Sequence, residues 1–124
     1  MTEDEAAALA RDWAEHCAAR ASGDEADRLF AAWERLDGMC RDDPDAALSV
    51  ILRIAAEGGE EAVLANLAAG PLEDLLSAHG PAVIGRLEDA CRRNARVRAA
   101  AGMAWRSGID AEVWSRLQRA VGRG

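Results

Sequence analysis

The chain has 124 residues, half of them hydrophobic, and carries 22 Asp/Glu against 15 basic groups, for a formal net charge of −7. That length fits one domain with a single core and needs neither disulfides nor metals. The acidic balance argues against nonspecific nucleic-acid binding, and no apolar run approaches the roughly 18–20 residues of a membrane-spanning helix.

Thr2 and Glu5 form a capping-box pattern, and Leu9, Trp13 and Cys17 repeat at four-residue spacing, which predicts a first helix over 3–20. Ser22-Gly23-Asp24 breaks it. A second helix is predicted over 25–41, with Leu29, Phe30, Trp33, Leu36 and Cys40 on its apolar face; Trp13 and Trp33 are both expected in the core. Asp42-Asp43-Pro44 reads as an N-cap followed by a first-turn proline. The helix it opens, 44–57, is apolar around so much of its circumference that it belongs at the centre. Gly58-Gly59 ends it. Short helices are then predicted over 60–69, 71–78 and 82–93, with Gly70-Pro71 and Gly80-Pro81 as the breaks between them. Asn94 is a C-cap. Helices over 95–105 and 111–121 follow, separated by Ser107-Gly108 and capped at Asp110.

These elements define an all-α fold: one domain over 1–124, of about seven to eight short helices, packed as a HEAT-like helical repeat or as an irregular bundle. No fixed-period repeat establishes a solenoid. Cys17, Cys40 and Cys91 are odd in number, widely spaced and without a C-x-x-C pair, so buried free thiols are expected, with no disulfide framework, metal site or cofactor. The N-terminus begins with acids where a secretory signal would be basic and then apolar, so a cytoplasmic location is expected. Every basic group is arginine; with the alanine excess, this suits a GC-rich bacterial or phage genome.

Three groups of residues invite a function. Glu73, Asp74, His79 and Arg92 could line a ligand pocket or active site, with His79 as base and a carboxylate to orient it; the plainer reading of His79 is a histidine set against a helix C-terminus. Arg86, Arg92, Arg93, Arg96 and Arg98 fall within 13 residues and could meet an acidic partner or nucleic acid, or pair with the chain's own acidic half. Residues 1–62 carry 16 acids and 6 arginines (net −10), and residues 63–124 carry 6 and 9 (net +3), which together give the −7. Trp105, beside Arg106 near the C-terminus, is either core or an interface anchor. His16 and Cys17 are adjacent on a helix and diverge by about 100°, so they form no dyad. Asp42, Asp43 and Asp45 lack a calcium-loop pattern, and without lysine there is no phosphate loop.

The stretch from Trp33 to Trp105 resembles an uncharacterised bacterial domain family. The likeness rests on Trp33-Glu34-Arg35-Leu36, Asp42-Asp43-Pro44, the Leu-Ala-Ala-Gly-Pro-Leu-Glu-Asp-Leu-Leu segment from Leu67 to Leu76, Gly80, Arg92-Arg93 and Trp105. It implies a small helical domain and no activity. Where that family tends to place proline and an aromatic after the arginine pair, this chain has Asn94-Ala95-Arg96-Val97, which predicts a less sharp junction there. With no catalytic set in view, the expected function is a non-enzymatic protein-interaction module of the adaptor, immunity or inhibitor kind. Another protein is its expected partner.

Overall fold

Caps written in the sequence start most of the helices. The computed structural model describes residues 1–18, 23–57 and 60–122. Helix α1 (Glu3–Ala18) opens on the reciprocal pair in which Glu5 N–H donates to Thr2 Oγ1 and Thr2 N–H to Glu5 Oε1, both at 3.1 Å. Helix α2 (Gly23–Asp42) opens at a glycine with φ of 66°, a left-handed conformation that favours glycine. Asp43 accepts the Ala46 N–H at 3.4 Å ahead of α3 (Pro44–Glu57). The predicted breaks at Ser22 and at Gly58-Gly59 lie outside the described residues.

Beyond them run α4 (Glu61–Leu67), one wide π turn (Ala68–Leu72), α5 (Glu73–Arg93), α6 (Ala95–Gly102) and α7 (Ala111–Ala120). Asn94 makes the α5–α6 junction sharp rather than loose. Its side chain accepts the Arg96 and Val97 N–H groups at 2.9 and 3.2 Å. Asp110 does the same for α7, accepting from Glu112 and Val113 at 3.0 and 3.4 Å.

The Gly70-Pro71 break does not separate helices and the Gly80-Pro81 break survives as a kink joining two helical segments, so the described residues form six helical runs where seven or eight were expected. Pro71 has no N–H to donate, and the wider bonding of a π turn accommodates it without a stop. The Pro71 carbonyl accepts the Cys40 thiol of α2 at 3.4 Å. Ahead of Pro81, only His79 leaves helical geometry (φ −137°, ψ 26°), and α5 kinks and resumes. Gly80 at this kink is buried against α7: a Cβ there would lie 3.0 Å from both methyls of Val113.

Helix α3 is the hub. It packs on α1, α2, α4, α5 and α6 and buries Ala47, Leu48, Val50, Ile51, Ile54 and Ala55, as its broad apolar circumference implies. In a solenoid each element touches only its neighbours, so this is an irregular bundle. Trp13 is buried in α1 as expected, at 1 % exposure. Trp33 is not: it is 39 % exposed, and Phe30 47 %. Leu29, Ala32, Leu36 and Cys40 already form a complete buried stripe on α2. Phe30 and Trp33 each follow a member of that stripe by one residue, which turns them about 100° toward solvent.

Candidate partner-binding surface

Most of the arginine cluster is engaged within the chain. Arg86 donates to Ser49 Oγ at 3.0 Å and to the Asp45 carbonyl at 3.3 Å, and its guanidinium lies 3.6 Å from the Asp45 carboxylate. Arg92 pairs with Asp89 one turn back. Arg96 Nε donates to the Ala55 carbonyl at 3.1 Å, closing the last turn of α3; one of its terminal nitrogens is buried with no partner among the described residues. Arg98 donates to the Cys91 carbonyl at 3.0 Å, closing the last turn of α5. Orphan carbonyls at helix ends take such donors readily. Arg93 is exposed and carries no ion pair among the described residues.

Glu73, Asp74, His79 and Arg92 all lie on α5, and the structure does not bring them together. The Glu73 carboxylate accepts the backbone N–H of Trp105 at 2.9 Å. His79 Nε2–H donates to the Arg41 carbonyl at 2.7 Å, so it caps the end of α2 rather than of its own helix. Asp74 faces the same end of α2. Its carboxyl is pushed up by desolvation and then by the like charge of Asp37, against the pull of Arg41. Arg92 is 13 residues beyond His79, on the order of 20 Å along a helix.

The thiols are quiet. Burial raises Cys17 to about 11 and Cys40 to about 12, the latter with help from Asp74, and Cys91 is raised for the same first reason. A protonated thiol is a poor nucleophile. Among the described residues no three His, Cys, Asp or Glu side chains converge as a metal site, and no helix is long and apolar enough to cross a membrane. An open cleft of about 650 Å³ lies between the start of α1 and helices α3 and α5. Its arginines, Arg53 and Arg86, are paired with its own acids, Glu3 (3.2 Å) and Asp45.

Trp105 is different. Helix α6 ends at Gly102, so Trp105 leaves the helical register that would have carried it toward the core and enters the turn to α7. Ala104 and Ile109 are buried and pin the turn from both sides. Within it, Ile109 N–H donates to the Arg106 carbonyl at 2.9 Å, and Ser107 takes a positive φ of 29°, a strained value for a residue with a side chain. The Glu73 carboxylate holds Trp105 by its backbone, and the residue stands 77 % exposed. A second aromatic site, which the sequence reading missed, is the Phe30–Trp33 pair. The rings stack with centroids 5.7 Å apart and planes 11° from parallel, and His16 of α1 lies 5.9 Å from Phe30. The signal was present, since Leu29, Ala32, Leu36 and Cys40 left no room for either ring on the buried stripe.

Fold and surface together define a small all-α domain whose candidate polar chemistry is mostly spent on its own helix ends and whose exposed aromatics stand on ordered backbone. The chain belongs to the family of unknown function DUF6869, whose model matches residues 18–124. The match takes in both Glu73 and Trp105 and leaves all of α1 except its last residue outside. No curated protein and no solved structure matches the chain.

Proposed function

We propose that this protein is a non-enzymatic interaction module, of the adaptor, immunity or inhibitor kind, that grips another protein through Trp105. The observation that carries this reading is the pairing of 77 % exposure with a turn pinned by two buried residues and by Glu73. A buried aromatic covers about 150–250 Å², so roughly 120–190 Å² of indole stands in water. At about 25 cal/mol/Å² its burial is worth about 3–5 kcal/mol, a cost the free protein carries in full. Because the turn is already ordered, a partner gains that burial without an added entropy cost for the loop. Tryptophans of this kind dominate interface energetics. Ligand chemistry at Glu73, Asp74, His79 and Arg92 has no comparable support, since these groups do not converge. Nucleic-acid binding through Arg86 to Arg98 has little either, since only Arg93 stands without an intramolecular partner among the described residues.

The test compares the wild type with Trp105→Ala in affinity capture from the native lysate, with Glu112→Gln as a control of the same surface class. The wild type and the control should retain a protein in fixed stoichiometry and the variant should lose it, with thermal melts unchanged. Capture that is equal in all three, or no retained protein at all, overturns the reading.

A further inference from the structure

The Phe30–Trp33 pair is a second exposed aromatic surface, on α2 rather than in the turn that carries Trp105, and the charges around it specify what it suits. On α2, Asp27 lies one turn before Phe30 and Glu34 one turn after it, so the two acids bracket Phe30 and flank the stacked pair on the side away from Trp33. Both are exposed, and neither carries an ion pair among the described residues. Arg28, next to Asp27 in sequence, is taken up by Asp12 at 2.9 Å and Glu15 at 4.0 Å across the α1–α2 interface. Arg41 is held by Asp37 at 2.8 Å. The patch thus presents two aromatic rings flanked along one side by two carboxylates that carry no ion pair among the described residues.

We infer that this face of α2 is a docking site for a cationic amphipathic segment of a partner, one that lays an arginine or lysine over Trp33 and Phe30 and reaches Asp27 and Glu34 with its charge. A cation over an aromatic face is attracted by the ring quadrupole. The bracketing carboxylates supply the charge-assisted hydrogen bonds that hold a guanidinium. The near-parallel stacking, at 11°, makes a platform rather than a cage, so it suits a flat guanidinium better than a compact quaternary ammonium. The site goes beyond the contact at Trp105 and does not depend on it. If both operate, the domain joins two segments and its apparent affinity for a partner carrying both exceeds either alone.

The probe is a fluorescein-labelled amphipathic helical peptide with arginine and leucine along one face, followed by anisotropy at low salt. Wild-type protein should bind it saturably, with affinity falling as salt rises. Trp33→Ser with Phe30→Ser should weaken binding about tenfold or more. Asp27→Asn with Glu34→Gln, which alters only solvated groups and keeps the fold, should weaken it comparably. Trp105→Ala should leave it unchanged, which separates this site from the proposed one. Equal binding to the wild type and both double variants overturns the inference, as does equal binding of a peptide with glutamate in place of arginine. So does a wild-type dimer in light scattering that Trp33→Ser converts to monomer, because a second copy would then occupy the face.

Discussion

Helix α7 approaches the kink of α5 closely enough that a single methyl group should push them apart. A Cβ at position 80 would sit 3.0 Å from Val113 Cγ1, 3.0 Å from Cγ2 and 3.4 Å from Cβ. Carbon atoms in contact prefer about 3.5–4.0 Å, so Gly80→Ala demands a retreat of roughly half an ångström to one ångström by a β-branched side chain that is itself buried. Overpacking of this kind costs about 1–3 kcal/mol, and replacing a helical glycine returns at most about 1 kcal/mol. The net loss should be about 1–2 kcal/mol, or roughly 3–10 °C in Tm for a chain of this size. A rival source of cost is Pro81, because a Cβ on the residue before proline crowds its ring. Val113→Ala separates the two. It loses stability on its own through a cavity, by roughly 1–3 kcal/mol, but it makes room for the new methyl. In urea titrations of the four proteins of the cycle, Gly80→Ala should be close to neutral in the Val113→Ala background, giving a coupling of about 1 kcal/mol or more. If Gly80→Ala costs the same in both backgrounds, the close approach is not what glycine is there for.

Three further outcomes follow from the geometry. Asn94→Ala removes the acceptor for two N–H groups of α6 and should cost about 1 kcal/mol in chemical denaturation, whereas Asn94→Asp should keep most of the stability. Arg116 grips Glu88 with two of its nitrogens and, with the hydrogen bond as the leading cause, holds the Glu88 carboxyl below its usual 4.5. The stabilisation is therefore fully present above that value and is lost as pH falls through the lowered one, so Glu88→Gln should show a shallower loss of stability on acidification below about pH 4.5. In a disulfide-exchange assay at neutral pH, half-buried Cys17 should react slowly, and buried Cys40 and Cys91 only at the rate of unfolding. Rapid labelling of either buried thiol would contradict their placement.

What the sequence made legible was local. The Thr2/Glu5 box, Asp43 ahead of Pro44 and Asp110 act within three residues of themselves, and each caps a helix; Asn94 does stand at the C-cap position of α5, as its sequence context suggests, but its side chain caps the start of α6 instead. The central role of α3 was readable from its circumference alone. What was not legible depends on residues distant in the chain. Pro71 and Pro81 look like stops until the Cys40 thiol, 31 residues away, is seen on the Pro71 carbonyl, and Val113 is seen against Gly80. The arginine cluster posed a question that its own spacing could not answer: Arg86 and Arg96 reach across 37 to 41 residues to their partners on α3. Trp105 was singled out for its type and neighbours. Its exposure followed from the end of α6 at Gly102, three residues before the sequence reading ended that helix, and its anchoring from Glu73, 32 residues back.

Among the described residues, α7 touches only α5 and α6. Every other helix has three neighbours or more, so α7 is the element whose release disturbs least of the core. Such peripheral elements open as cooperative units at free energies below that of global unfolding. Amide exchange along α7 should accordingly outpace exchange in α3. The turn that displays Trp105 leads directly into this unit and is anchored by Ile109, so a partner that seats on the indole and spans the turn would also slow the release of α7. Slowed deuterium uptake from Val113 to Leu117 would then report occupancy of a surface that none of those amides touches.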